Sequence, residues 1–267
     1  MPEYIFRQTV DFFTKNGYYI GNHFYCTEEH MRLNKYLADC GVASRRACDK
    51  LIAEGAVRVN GKPATLGTDV NEANDSVTVN GRRVTLAKKH YYLMLHKPKG
   101  YVTTVSDELG RKTVMDLVNI KARVYPVGRL DYDTEGLLLL TSDGQLSNAL
   151  TRPSSEVPKT YIARVSGQLS DADINRLRNG VVIDGKHTLP AIVSVAEKDA
   201  HHTRLQITIT EGRNRQIKKM LEAVGSEVEF LKRVSIGDLR LGGLSRGKYR
   251  FLTDREVQYL KSLGGIK

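Results

Sequence analysis

Residues 128–144 read GRLDYDTEGLLLLTSDG, a stretch that joins charged side chains directly to an apolar run. Leu137 to Leu140 follow a glycine and precede Ser-Asp-Gly, a pattern that predicts a short strand buried on both faces. Arg129 and Asp131 should therefore lie on a loop that is anchored to the core. Because a rigid support fixes the geometry of polar groups, such a loop is a candidate catalytic site.

The two aspartates of this stretch allow a catalytic and a structural interpretation. Asp131 and Asp133 would face the same side of an extended backbone, which is the arrangement of a paired-carboxylate glycosidase site. Asp133 and Thr134, however, precede a change in backbone direction, where Asp and Thr commonly bond local N–H groups. The sequence favours this capping role for Asp133. Asp131 also fits one half of a structural ion pair with Arg129.

The composition favours a soluble globular protein that binds a polyanion. The 267 residues suffice for one large core or two domains, and they carry a formal net charge of +11. Such an excess of cations attracts nucleic acids through the release of counterions, although a basic surface can also serve solubility alone. There is no long apolar run and no signal-peptide pattern, so we expect a cytoplasmic protein without membrane contact.

No pattern typical of a metal site or a nucleotide cofactor is present in the sequence. Cys26, Cys40 and Cys48 lack C-x-x-C spacing, and the seven histidines are scattered without ligand spacing. A glycine-rich phosphate-binding fingerprint is also absent. We therefore expect a protein that uses no metal, disulfide framework or cofactor.

Residues 31–89 form a small basic module with eleven Lys and Arg against six Asp and Glu. Apolar residues recur at helical spacing before Gly41, and Ser44 precedes a second helical pattern. Two Asn-Gly pairs, at 60–61 and 80–81, each lie between alternating apolar and polar residues, which is a strong hairpin signal. The module is thus predicted as two helices followed by small β-hairpins.

The pattern changes again near residues 86–90, where we place a linker. Beyond it, strand-like and helix-like segments alternate, which predicts an α+β domain with a mixed sheet over residues 90–267. The predicted strands are YYLML at 91–95, Thr160–Val165, Arg204–Thr210 and Glu227–Val234. The predicted helices are Gln145–Thr151, Asp171–Asn179, Arg215–Val224 and Asp254–Leu263.

The segment EGRNRQIKKML, at 211–221, follows a predicted strand and opens a predicted helix. Arg213 and Arg215 therefore lie near a helix N-terminus, where a cation is disfavoured unless an anion lies beside it. A carboxylate such as Asp131, or an RNA phosphate, would supply that anion. The two lysines one turn further on either contact RNA or form a solvated basic face.

Six segments, taken in order, resemble the bacterial ribosomal RNA pseudouridine synthases of the branch that carries an S4 RNA-binding domain. RLNKYLADCGVASRR and VRVNGK are similar to the S4 domain, and LHKPKGYVTT is similar to the entry of the catalytic domain. GRLDYDTEGLLLLTSDG, KTY and EGRNRQIKKM resemble the three catalytic motifs. Arg215 stands where related branches have His, which is typical of the S4-bearing branch.

This resemblance implies an S4 domain over residues 31–89 and a pseudouridine synthase domain, with a mainly antiparallel mixed sheet, over residues 90–267. The implied reaction is the isomerisation of a uridine in ribosomal RNA, without a cofactor, by a monomer. The sequences of the motifs favour 23S RNA as the substrate, either free or in an assembling subunit, and 16S RNA is the alternative. Residues 1–30 match nothing in the family, and we expect an upstream extension that is flexible or loosely docked.

The resemblance also assigns roles to single residues. Asp131 would act at the sugar, either by attacking C1′ or by removing a proton from C2′, and Arg213 would pair with it to keep it ionised. Tyr161, which alone would be read as a packed strand residue, would stack on the base and help to remove the C5 proton. Arg129 would hold the place or the phosphate of the flipped nucleotide. The expected RNA contacts are Arg32, Lys35, Arg45, Arg46, Arg129, Arg215, Lys218 and Lys219.

Two other functions compete with this one. A non-catalytic, ribosome-associated S4 protein would explain the charge and the basic module, but not the ordered set of Asp, Tyr and Arg. A glycosidase would use Asp131 and Asp133 together, yet a basic surface suits RNA better than a neutral sugar.

Overall fold

A computed structural model describes residues 30–87 and 89–266 in full, together with the backbone of three short strands before them. The chain forms two compact units, Met1–Lys88 and Lys89–Lys267. The division falls within the segment 86–90, where the composition changes. Among the described helices, none is both long and apolar enough to cross a membrane.

The first unit contains nine short strands and two helices among its described residues. These are β1 (Phe12–Thr14), β2 (Gly17–Ile20), β3 (His23–Cys26), β4 (His30–Arg32), α1 (Leu33–Asp39), α2 (Arg45–Ala53), β5 (Val57–Val59), β6 (Lys62–Pro63), β7 (Asp69–Asn71), β8 (Val77–Val79) and β9 (Arg82–Val84). The strands form a four-stranded sheet in the order β6-β5-β8-β9, a β4-β7 pair and a three-stranded sheet in the order β1-β2-β3.

The local signals of the first unit explain its elements. Gly41 has a φ of +81°, which ends the first helical segment, and the Ser44 hydroxyl accepts a hydrogen bond from the Ala47 N–H at the start of α2. Asn60-Gly61 and Asn80-Gly81 have positive φ at both positions and close the β5–β6 and β8–β9 hairpins. The prediction of two helices followed by hairpins is confirmed.

The strands β1 to β3 were not predicted from the sequence. They pair antiparallel, β1 with β2 and β2 with β3. The expectation that residues 1–30 are flexible or loosely docked falls on side chains outside the described residues, and it stays a prediction.

The second unit contains a nine-stranded sheet, a separate hairpin and four helices among its described residues. The elements are β10 (Tyr92–Lys97), β11 (Tyr125–Val127), β12 (Glu135–Thr141), α3 (Gly144–Thr151), β13 (Lys159–Ser166), α4 (Asp171–Asn179), β14 (Val182–Ile183), β15 (Lys186–His187), β16 (Ile192–Lys198), β17 (His202–Ile209), α5 (Gln216–Glu222), β18 (Val228–Ile236), β19 (Leu239–Arg240), β20 (Tyr249–Phe251) and α6 (Asp254–Leu263). Short 3-10 helices span Val114–Leu117 and Pro153–Ser155.

The large sheet is mixed and mainly antiparallel, as expected. Seven strands follow the order β16-β17-β13-β18-β12-β10-β20, while β11 pairs with β12 and β19 with β18. Only β12 and β18 are parallel among the described pairs of this sheet. All strands and helices predicted for this unit are present, and their ends agree with the prediction to within two residues. Strands β11, β14 to β16, β19 and β20 were not predicted.

The apolar run of β12 is buried on both faces, as its sequence predicted. Leu138 and Leu140 belong to a core cluster with Ala163, Leu205 and residues of α4 and α5. On the opposite face, Leu137 and Leu139 pack in a second cluster with residues of α3 and α6. The loop that precedes β12 is therefore attached to a strand with no free face.

Gly136 allows β12 and β18 to lie unusually close. It has a φ of +116°, and a Cβ at this position would overlap the carbonyl oxygen and amide nitrogen of Arg233. The register pairs Gly136 with Arg233, and the Arg233 Nε donates a hydrogen bond to the Leu137 carbonyl oxygen at 2.7 Å. A residue without a Cβ is required because backbone fills the space a side chain would need.

Candidate active site

A cleft of about 330 Å³ in the second unit brings together residues from the three segments that the sequence suggested as catalytic motifs. Its walls include Arg129, Asp131, Tyr161, Arg213 and Arg215. These residues come from the loop before β12, from β13 and from the segment before α5. Leu139, Ile217, Leu231 and Ile236 add apolar surface to the same cleft. The predicted site residues are thus neighbours in the fold although up to 86 positions separate them in the sequence.

Hydrogen bonds to main-chain carbonyl oxygens fix the loop that carries Asp131. The Asp131 carbonyl oxygen accepts from the Thr134 N–H at 3.1 Å, which closes a turn. The Thr103 hydroxyl donates to the Leu130 carbonyl oxygen at 2.7 Å, and the Gly100 N–H donates to the Tyr132 carbonyl oxygen at 2.8 Å. The segment at 98–104 therefore helps to hold the residues on either side of Asp131.

Lys97 lies beneath this turn and was not predicted as a site residue. It is fully buried, and its Nζ donates to the carbonyl oxygens of Pro98, Asp131 and Thr134 at 3.1, 2.9 and 2.8 Å. Burial lowers the pKa of Lys97 to about 8, although the charges of Asp131, Asp133 and Glu135 act in the opposite direction. The one signal for this role was a lysine at the end of a strand that is otherwise mainly apolar.

Arg213 lines the cleft, but its guanidinium is bound to other groups. Its Nε donates to a Glu211 carboxylate oxygen at 3.1 Å, and its two terminal nitrogens donate to the carbonyl oxygens of Lys186 and His187. Within the described part of the chain, no ion pair joins Arg213 to Asp131. The predicted pair is therefore corrected, because Glu211 lies only two residues away on the same strand-to-helix connection.

The anion expected beside the N-terminus of α5 is Glu211. The Gln216 side chain accepts a hydrogen bond from the Arg213 N–H at 3.0 Å and donates to Glu211 at 2.5 Å. Arg215 adopts a left-handed conformation with a φ of +52° at the start of the helix and is exposed. Arg215 is thus free to meet a phosphate, whereas the guanidinium of Arg213 is already bound to Glu211 and to two main-chain carbonyl oxygens.

Tyr161, Lys159 and Arg233 also line the cleft. Tyr161 is 8% exposed on β13, directly opposite Arg233 of β18. Burial and, to a lesser extent, the charge of Arg233 lower the pKa of Lys159 to about 8, and the Lys159 Nζ donates to the Val157 carbonyl oxygen at 2.7 Å. The residue types around Asp131 are thus an aromatic ring, apolar side chains and several cations.

Comparisons with known proteins show which family has this sequence and fold. A family model described as RNA pseudouridylate synthase matches residues 91–223, and an S4 domain model matches residues 31–77. The protein named ribosomal large subunit pseudouridine synthase B of Bacillus subtilis (strain 168) is 45% identical over 87% of this chain and 96% of its own length. The chain belongs to the RNA pseudouridylate synthase family.

Two further similarities cover most of this synthase. The dual-specificity RNA pseudouridine synthase RluF of Salmonella typhi is 39% identical over 86% of this chain and 78% of its own length. A crystal structure of a pseudouridylate synthase is 31% identical and matches with a TM-score of 0.63, covering 86% of this chain and 99% of the other. The predicted family, the S4 domain and the enzymatic class are therefore confirmed.

Asp133 of the synthase has a structural partner that the sequence did not reveal. Its carboxylate forms an ion pair with the Nζ of Lys218, a side chain that is 7% exposed on α5. Partial burial alone would raise the pKa of Asp133, but the hydrogen bond and charge of Lys218, with Arg215, hold it below its ordinary value. The predicted RNA contact of Lys218 stays a prediction, and in this structure its buried side chain is paired with Asp133.

The remaining predicted RNA contacts of the synthase lie on its surface. Arg129, Arg215 and Arg46 are exposed, while Lys219 is paired with Asp184 at 2.6 Å. The other predicted RNA contacts of the S4 unit have local partners: Arg32 with Asp69, Lys35 with Asp39 and Arg45 with Asn34. Among residues 30–87 and 89–266, no cluster of His, Cys, Asp and Glu side chains could hold a metal ion.

Proposed function

We propose that this chain isomerises a specific uridine of 23S ribosomal RNA to pseudouridine. The main support for this proposal is that Asp131 and Tyr161 line one partly apolar cleft in a member of the pseudouridylate synthase family. The choice of large-subunit RNA rests on the name of the Bacillus subtilis relative. The S4 unit, with its exposed arginines, would bind the same RNA. The proposal includes action as a monomer.

The reaction rearranges bonds within one nucleotide. The N1–C1′ bond breaks, the uracil turns within the cleft, a C5–C1′ bond forms, and the proton leaves C5 while N1 gains one. No atom or electron is gained or lost overall. In this scheme Asp131 acts at the sugar, either as a nucleophile at C1′ or as a base at C2′, and both routes require the ionised carboxylate.

A buried cation supports the loop that carries Asp131. Lys97 is fully buried under the same turn, and its Nζ donates to the Asp131 carbonyl oxygen. We assign to Lys97 the positioning of this loop, whereas the family resemblance assigned the support of Asp131 to Arg213. Arg213 instead holds Glu211 and the β14–β15 hairpin at the cleft.

Tyr161 and Arg129 have positions that fit their proposed roles. Tyr161 is packed by its strand neighbours with its ring at the cleft, where a flipped uracil could stack on it. Arg129 is exposed beside the same loop and can reach the RNA backbone or the gap that the flipped uridine leaves.

The test is to map pseudouridines in ribosomal RNA from a strain that lacks the gene. We expect one site in 23S RNA to lose its pseudouridine, and the wild-type gene to restore it. Asp131→Asn should fail to restore it, while the matched variant Asp238→Asn, at an exposed aspartate outside the cleft, should succeed. Loss of a site in 16S RNA would show that 16S RNA, and not 23S RNA, is the substrate. An unchanged pseudouridine map in both RNAs would refute the proposal.

A further inference from the structure

Arg233 is a buried cation with an unused hydrogen-bond donor. Arg233 is 3% exposed, and its Nε donates to the Leu137 carbonyl oxygen at 2.7 Å. Its Nη2 is buried and has no partner within the described part of the chain. A buried donor that is left unpaired destabilises a protein, so such a group in a native fold requires an explanation.

The position of Arg233 places this donor at the substrate cleft. Arg233 lines the same cleft as Asp131 and Tyr161. It is paired with Tyr161 across the antiparallel strands β13 and β18, so the two side chains leave the same face of the sheet at neighbouring positions. Gly136 and Leu137 fix its backbone and its Nε, which leaves the guanidinium little freedom to turn away.

The surroundings of Arg233 select the kind of acceptor. Leu231 and Ile217 contribute apolar surface to this cleft, and a phosphate placed among apolar groups would lose its hydration without gaining enough donors. The exposed Arg129 and Arg215 are better placed for phosphates. A neutral carbonyl oxygen can be bound by the unpaired Nη2 group alone.

We propose that Arg233 recognises the target base by donating a hydrogen bond from Nη2 to a carbonyl oxygen of uracil. This inference rests on the proposed function, since it requires a uridine in the cleft. An arginine can only donate, so it accepts a carbonyl group and disfavours the amino group that cytosine carries at C4. Arg233 would therefore be a specificity-determining residue.

The symmetry of uracil makes one donor sufficient for the whole reaction. Turning the base about the axis through N3 and C6 exchanges N1 with C5 and also exchanges O2 with O4. A carbonyl oxygen therefore faces Arg233 both before the N1–C1′ bond breaks and when the C5–C1′ bond forms. With cytosine, the same turn would bring the amino group to Arg233 in one of the two positions.

The test combines atomic changes in the substrate with changes in the protein. Short RNAs that carry the mapped target site are prepared with uridine, 2-thiouridine or 4-thiouridine at that position, because sulfur is a poorer acceptor than oxygen. Single-turnover conversion is followed by chromatography of the digested nucleosides. The proteins are the wild type, Arg233→Met, and the matched variant Lys159→Met, which removes a neighbouring cation of the cleft. Thermal unfolding establishes that each variant is folded.

We expect at least one thio substitution to slow the wild type by roughly tenfold, the usual effect of losing one hydrogen bond. Arg233→Met should convert uridine more slowly by a similar factor and should not respond to sulfur, whereas Lys159→Met should respond as the wild type does. A wild type that converts both thio RNAs at the uridine rate overturns the inference, and this arm needs no variant to fold. Full sensitivity to sulfur in a folded Arg233→Met also overturns it.

Failure of the proposed function would give a different result. In that case the wild type would convert no uridine in the RNA, whatever the atom at C2 or C4. Conversion of uridine without a sulfur effect leaves the function standing and removes only the role of Arg233.

Discussion

The Nζ of Lys97 lies 2.9 Å from the carbonyl oxygen of Asp131, and it binds the Thr134 carbonyl oxygen at the other end of the same turn. One buried ammonium group thus determines the shape of the loop that presents Asp131. The position of the carboxylate depends on a lysine 34 residues earlier in the chain.

Lys97→Met should lower both stability and activity. The change removes the lysine donor from the carbonyl oxygens of Pro98, Asp131 and Thr134, and we expect a loss of about 2 kcal/mol in the free energy of unfolding. The rate of pseudouridine formation should fall further than the folded fraction, because the turn at Asp131 loses its support. Urea unfolding and single-turnover assays measure the two effects. Lys99→Met, at an exposed neighbouring lysine, is the control and should change neither by much.

Asp131→Asn should abolish turnover and leave stability nearly unchanged. The amide keeps the size of the side chain but serves neither as a nucleophile nor as a base. Release of tritium from C5-labelled RNA measures the activity, and thermal unfolding measures the stability. Residual activity close to that of Asp238→Asn would remove Asp131 from the mechanism.

Asp133→Asn should reduce stability rather than the intrinsic rate. The variant leaves Lys218 buried without an anionic partner, which we expect to lower the free energy of unfolding by about 1 to 2 kcal/mol, since the carboxylate side of the pair is half exposed. Asp184→Asn removes the more exposed partner of Lys219 and should have less effect. The pKa of Asp133 is lowered in the fold, so its contribution is present above the unfolded pKa and disappears as the pH falls through the folded pKa. Equal stability losses in the two variants would contradict the buried role of Lys218.

Lys159 should make stability depend on pH in the alkaline range. Its pKa is lowered from 10.5 to about 8 in the folded protein. Below pH 8 both states are protonated and the unfavourable burial of the charge acts in full. Between these two pKa values the unfolded state binds more protons, so the free energy of unfolding should rise with pH. The difference between the wild type and Lys159→Met isolates this contribution, and parallel curves for the two proteins would count against it.

Gly136→Ala should destabilise the second unit by about 3 kcal/mol or more, because its Cβ would overlap the backbone of Arg233 and its φ is unfavourable for alanine. The matched control is Gly243→Ala, where the added Cβ would meet no atom within 4 Å and φ is not in the left-handed region. Thermal unfolding of both variants is the measurement. A midpoint for Gly136→Ala equal to that of the control would show that the strands can separate at little cost.

The elements of the fold were predictable wherever a short stretch of sequence determines them. The Asn-Gly turns, the Ser44 cap and the buried run before Ser142 each act through neighbouring residues, so local rules identified them. The order of the sheet was not predictable, since the pairing of β12 with β18 joins segments separated by about ninety residues. Strand β16 lies at the edge of the sheet, and several of its side chains are exposed, which weakens the alternating pattern that a half-buried strand shows.

Side-chain partners within the site were predictable only in part. The motifs identified Asp131, Tyr161 and Arg213 as residues of one cleft, but not which carboxylate Arg213 binds. Lys218 appeared as one of two adjacent lysines on a helix, and only the tertiary structure turns it inward while Lys219 stays at the surface. Ion pairs of this kind depend on distances across the fold, which spacing along the chain does not encode.

The parallel junction of β12 and β18 also sets when the cleft can exist during synthesis. A nascent chain that ends at Thr141 already contains Asp131 and its supporting lysine, but it lacks the cleft wall formed by β13, the segment before α5 and β18. Closing this junction requires residues up to Arg233 to leave the ribosome, and such distant pairing is slow compared with local hairpins. The segment that carries Asp131 is therefore translated well before the strands that complete the cleft around it, and the cleft can form only when most of the second unit has been made.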